Sequence, residues 1–139
     1  MKFVAVLCSL VAAVAAQRAF IGEPQSSDTW TAGHDELVSV VKPDALTGST
    51  EVGIAITLKH CIQNPCEDAS EALGSVLYSG PYNPQFGPGM GGQPYQNFTL
   101  TIPGGIQSGP AVLSVAHANL IGAGPFFFTE ITNTTINIA

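Results

Sequence analysis

Basic residues are nearly absent from this chain. Four Lys and Arg stand against ten Asp and Glu in 139 residues, a formal charge of −6. A surface so poor in cations offers phosphates no basic track, which argues against nucleic acid and anionic membranes as partners. Charge of either sign is scarce, at 10% of residues, so solubility must rest on Ser, Thr, Asn and glycan. Helical periodicity is missing too: prolines punctuate the chain, and apolar residues alternate instead of recurring at three and four. Long apolar runs are also lacking, with one exception. Phe3 to Val14 is almost unbroken, follows the basic start Met1-Lys2, and ends in the small residues Val14-Ala15-Ala16. That pattern is a secretory leader, too short to span a bilayer as a stable helix.

Residues 1–16 are therefore expected to be removed, leaving 17–139 as a single secreted domain that starts at Gln17, a residue able to cyclise to pyroglutamate. Arg18, Lys42 and Lys59 then face ten acidic residues, a formal charge of −7. The C-terminal Thr135-Ile136-Asn137-Ile138-Ala139 is strand-like and carries neither a glycolipid-anchor signal nor a retention tetrapeptide. The expectation is free, extracellular secretion with no membrane anchor.

Cysteine is scarce, and the leader contains one of the three, Cys8. Cys61 and Cys66 remain, enclosing Ile62-Gln63-Asn64-Pro65. In an oxidising compartment so close a pair is expected to form a disulfide, with Pro65 helping to turn the chain back. A metal or redox site is the rival, because His60 adjoins Cys61. It has only that one histidine and no second cysteine pair to complete a zinc set.

Strand signals fill the rest. They predict strands at 18–22, 28–32, 37–42, 52–59, 73–79, 97–102, 111–119 and 126–138. Val52, Ile54, Ile56 and Leu58 alternate with Gly53, Ala55, Thr57 and Lys59. Val76 and Tyr78 share one side of their strand. Phe98, Leu100 and Ile102 point inward, opposite Asn97, Thr99 and Thr101. Seven to eight short strands between Gly/Pro turns imply an all-β fold, an antiparallel immunoglobulin-like β-sandwich, with a barrel as the alternative. Residues 67–72 allow one helical turn at most. Residues 80–95 stand apart, with five Gly, four Pro and the aromatics Tyr82, Phe86 and Tyr95. Pro lacks the ladder donor and Gly costs backbone entropy, so this stretch must be a loop. Its aromatics either form an exposed contact surface or pack down over one end of the sandwich.

Catalytic constellations are absent from the sequence as well. His34, His60 and His117 share no metal-ligand spacing. Asp35 and Glu36 are adjacent, so a strand would point them to opposite faces. Glu67, Asp68 and Glu71 read as a solvated acidic loop. No Gly-x-Ser-x-Gly elbow occurs, and 87–92 is Gly-rich without a lysine or a following helix. The reading is a non-enzyme without metal or cofactor. Two sequons, Asn97-Phe98-Thr99 and Asn133-Thr134-Thr135, predict N-glycosylation at Asn97 and Asn133.

Leu73-Gly74-Ser75-Val76-Leu77-Tyr78-Ser79-Gly80-Pro81 is followed by a loop, then by Gln96-Asn97-Phe98-Thr99-Leu100-Thr101-Ile102-Pro103. A small-residue strand comes next, Gly109 to His117, then Leu120-Ile121-Gly122-Ala123, and the chain closes through Asn133-Thr134-Thr135-Ile136-Asn137-Ile138. This order resembles the fungal necrosis-inducing secreted proteins, the Nis-type effectors, from about Leu37 to the end. The Cys61–Cys66 pair and the long Gly/Pro loop lie outside the resemblance. It implies a small secreted fungal protein at the host or environmental interface. Some members bind receptor-associated kinases to suppress plant immunity, or trigger cell death. No catalytic residues come with it.

Ser27-Asp28-Thr29-Trp30-Thr31-Ala32-Gly33 resembles the opening of immunoglobulin-like modules in fungal cell-wall glucan-assembly proteins. The leading expectation is thus an effector-like protein acting by contact with a host cell-surface protein or receptor-associated kinase. The expected surface joins the 80–95 loop to the Cys61–Cys66 loop, with Tyr82, Phe86 and Tyr95 as anchors. The alternative is a wall-structural or carbohydrate-binding module whose platform would be Trp30, the sole indole.

Overall fold

Alternation of apolar and polar residues folds this chain into strands that bury one face each. A computed structural model describes residues 18–45 and 47–139. The expected leader and Gln17 lie outside the described residues. Eight strands form: β1 (Phe20–Glu23), β2 (Thr29–Trp30), β3 (Asp35–Val41), β4 (Ser49–His60), β5 (Ser75–Gly80), β6 (Tyr95–Thr101), β7 (Gly109–Ile121) and β8 (Phe126–Ile138). They make two sheets, ordered β1-β3-β6 and β2-β8-β7-β4-β5. The fold is all-β and sandwich-like. Adjacent strands pair antiparallel except β2, which lies parallel to β8.

The core lies between the sheets. Val38, Val40, Phe98 and Leu100 come from the smaller sheet; Ile54, Ile56, Leu58, Leu113, Val115, Ile136 and Ile138 come from the larger. β6 alternates as its sequence predicts, with Phe98 and Leu100 buried and Asn97, Thr99 and Thr101 exposed. β7 and β8 form an unbroken ladder from Gly109↔Ile138 to Ile121↔Phe126. Gly122, at φ +88°, begins the turn that joins them.

Two β-bulges change which residues face inward. Between Glu51 and Gly53 the register against β7 slips by one, so Val52 is the extra residue. A one-residue slip inverts every side chain on its far side. Val52, expected on the apolar face with Ile54, is 54% exposed instead, and Glu51 sits cross-strand from the buried Asn119. A second slip makes Leu77 the extra residue in β5. Val76 and Tyr78 therefore do not share a side: Val76 is exposed, whereas Tyr78 packs on Phe98 with ring centroids 4.7 Å apart.

At the C-terminal end of β4 the Cys61–Cys66 disulfide is formed, with an S–S distance of 2.04 Å. Cys61, Ala69 and Val112, with Cys66 and Leu73, make a small second cluster. The segment after β4 thus folds back onto the Val112 side of the large sheet. The 80–95 loop leaves β5 at the other end of β4, because Gly80 pairs with Ile54 and Ser75 pairs with Leu58.

Candidate functional site

The inward face of β7 reads Ala111, Leu113, Val115, His117, Asn119, Ile121, all buried. Its first half is apolar; its second half places an imidazole and an amide inside the sandwich. The ladder puts Glu130 of β8 directly across from His117, and the bulge in β4 turns Glu51 inward on the other side. His117 Nδ1 lies 3.0 Å from Glu130 Oε1, and Nε2 contacts Glu51 Oε2. The His117 side chain is fully buried, that of Glu130 nearly so, and Glu51 keeps 17% exposure.

Each carboxylate has a further cation. Lys42, just past β3, pairs with Glu51 Oε1 and donates to Ser49 Oγ at 2.5 Å. Arg18 Nε meets Glu130 Oε2 at 3.1 Å, and the Ala19 N–H donates to Glu130 Oε1 at 2.8 Å. Tyr82, from the loop after β5, sets its ring edge-on to His117 at 5.4 Å and donates its hydroxyl to the Val40 carbonyl at 3.1 Å. The cluster therefore joins three strands of the large sheet to the end of β3, the start of β1 and the 80–95 loop.

Ionised carboxylates only accept hydrogen bonds. Two of them, one at each ring nitrogen, are both satisfied when His117 carries two protons. Burial opposes that charged form, but hydrogen bonds to Glu130 and Glu51 and their charges outweigh it and hold the His117 pKa above 6.5. Burial likewise opposes ionisation of both carboxyls. For Glu51 it is outweighed by hydrogen bonds from His117 and Lys42; for Glu130, by those from His117, Ala19 and Arg18. Both carboxyls lie below 4.5. The Tyr82 hydroxyl is pushed well above its usual value, first by burial and then by the two carboxylates. While both ring nitrogens are protonated and engaged in this way, His117 offers no lone pair to a substrate. Asn119, beside the cluster, is fully buried, and its amide has no hydrogen-bond partner among the described residues.

The structure separates the residues expected to form one contact surface. Tyr82 is 4% exposed and belongs to the core, so it cannot be an exposed anchor. Its ring fills the space over His117. Phe86 is 68% exposed. Tyr95 is half-buried and donates to the Pro88 carbonyl at 2.8 Å. The Cys61–Cys66 loop cannot join them, since eight residues of extended β4 separate Cys61 from Gly53, roughly 26 Å. Trp30 is 4% exposed and packed in the core, which removes the platform expected for a carbohydrate-binding module. Asn97 and Asn133 are both exposed on strands, and Asn97 Oδ1 accepts from Ser39 Oγ at 2.5 Å.

Among the described residues, no group of three or more His, Cys, Asp and Glu is arranged to hold a metal ion. Nor is any helix long and apolar enough to cross a membrane. Sequence reasoning missed Glu51 and Glu130 altogether and placed His117 only as a strand residue. The inward alternation Leu113-Val115-His117 carried a signal for the histidine, and Glu130-Thr132-Thr134-Ile136 carried one for its partner. Nothing short of the bulge could have revealed Glu51.

No curated protein matches the chain. The Nis1 family matches it over residues 14–137, nearly its whole length. The effectors of that family are secreted proteins, and it is not a known enzyme family. The chain belongs to the Nis1 family of necrosis-inducing secreted proteins.

Proposed function

We propose that this protein acts outside the cell as a non-enzymatic effector-like protein, through contact with another protein at the surface around Phe86. The observation that carries this reading is the pairing of a 68% exposed Phe86 with a fastened loop. Gln85 and Tyr95 exchange backbone hydrogen bonds at 2.9 and 3.0 Å. Asn83 N–H donates to Gln96 Oε1 at 2.7 Å, and Tyr82 anchors the loop's start in the core. A large apolar ring held out on a braced loop costs little entropy to immobilise, as an interface anchor should. Beside it lies a hollow of about 320 Å³ lined by Lys42, Ser49, Glu51, Asn83, Pro84 and Pro94, among others.

The partner class that Nis1 membership favours is a host cell-surface protein or receptor-associated kinase. The test is affinity capture by the glycosylated mature protein from host cell extract, beside insoluble glucan and chitin, using wild type and Phe86→Ala. Retention of one specific protein by wild type and its loss in the variant supports the reading. Equal retention by both overturns the role of Phe86, and retention on polysaccharide alone favours a wall-associated module.

A further inference from the structure

The geometry points to a proton-operated clasp at this end of the sandwich: His117 locks Glu51 inward while doubly protonated and releases it on losing one proton. This rests on the reading of the Phe86 surface as a contact site and supplies its regulation. Glu130 Oε1 and Glu51 Oε2 face the two ring nitrogens. A neutral imidazole has one N–H and one lone pair, so it satisfies one carboxylate and turns a lone pair toward the other. The arrangement holds with two ring protons and conflicts with one.

Unequal support of the carboxylates decides which one leaves. Glu130 is 2% exposed and is held by Arg18 and by the Ala19 N–H as well as by His117. Glu51 is 17% exposed, and its other partner is the side chain of Lys42, itself at the rim of the hollow beside Phe86. When the Nε2 proton passes to bulk water, the ring keeps its Nδ1–H on Glu130. Glu51 then turns with Lys42 into the hollow. Tyr82, edge-on to the ring, couples the change to the start of the loop that carries Phe86.

Among the described residues, the ring meets Glu51 from β4, Glu130 from β8 and Tyr82 from the loop after β5, with the uncharged Asn119 two residues along β7 itself. Behind them stand Lys42 after β3 and Arg18 before β1. Against the opposing effect of burial, hydrogen bonds from His117 and Lys42 hold Glu51 below its usual range and those from His117, the Ala19 N–H and Arg18 hold Glu130 there, while burial raises the Tyr82 hydroxyl. His117, held above 6.5, is therefore the member that changes charge as pH rises beyond that value.

Imidazole nitrogen shifts of the ¹⁵N-histidine-labelled protein, followed by NMR against pH, test this without any partner. Failure of the clasp is thus distinguishable from failure of the contact reading. The expected result is a doubly protonated His117 that loses its Nε2 proton at a midpoint above 6.5. The amide resonances of Asn83 to Phe86 should shift with that same midpoint. Glu51→Gln offers the ring an acceptor and a donor, so its midpoint should fall and the loop response should vanish. A wild-type midpoint at or below 6.5, or loop resonances that stay flat through the transition, overturns the clasp.

Discussion

One strand holds two kinds of interior. Leu113 and Val115 of β7 share one apolar core with Ile56, Ile136, Val38 and other buried side chains. Two residues further on, His117 meets Glu51 and Glu130, backed by Lys42 and Arg18. The first end is held by burial, which is non-directional and nearly indifferent to pH. The second depends on matched donors and acceptors, and loses much of its stabilisation when one partner or one proton is missing. The loops that differ in role follow the same division. The disulfide loop closes the end near Pro110 through a covalent bond, whereas the Phe86 loop sits over the ionic end.

The sharpest way to break the contrast is His117→Ala. It leaves Glu51 and Glu130 buried with one cation each, and should cost about 3 kcal/mol of unfolding free energy, read by urea denaturation in mildly acidic buffer. Wild type should show a stability that falls on both sides of a plateau. The stabilisation from His117, whose pKa is raised, is full below 6.5 and is lost as pH rises through its folded value. That from Glu51 and Glu130, whose values are lowered, is present above 4.5 and is lost as pH falls through theirs. Melting temperature against pH checks both limbs.

Replacing Cys61 and Cys66 together by Ser should cost about 2 kcal/mol in the chain-entropy account of so short a loop. Its pH profile should remain that of wild type, since the disulfide lies at the other end. Tyr82→Phe removes a buried hydrogen bond to the Val40 carbonyl and should cost about 1 kcal/mol, measured by the same denaturation. Phe86→Ala should change stability by no more than about 0.5 kcal/mol while abolishing partner capture.

Much of the apolar end was legible in the sequence. The alternation of Phe98, Leu100 and Ile102, the strand spacing and the Cys61–Cys66 pairing all follow from local pattern. The ionic end was legible only in part. His117 and Glu130 sit on the correct inward phase of their strands, but their meeting depends on the β7–β8 register, which the sequence leaves open. Glu51 was hidden by a different cause: the bulge at Val52 reverses the phase, so strict alternation assigns it to solvent. Tyr82 was misplaced because a Gly/Pro-rich loop carries no periodicity to say which aromatic turns inward. Trp30 looked like a platform because the motif around it gave no phase.

The most direct test of the account is urea unfolding of Ile136→Val and His117→Ala beside wild type, at a pH below 6.5 and again above the folded midpoint of His117. Ile136→Val removes one buried methyl group and should cost about 1 kcal/mol at both. His117→Ala should cost clearly more at the lower pH, and its deficit should shrink at the higher one. A His117→Ala deficit as constant with pH as that of Ile136→Val would show that the two ends are held by the same force, and would contradict the account.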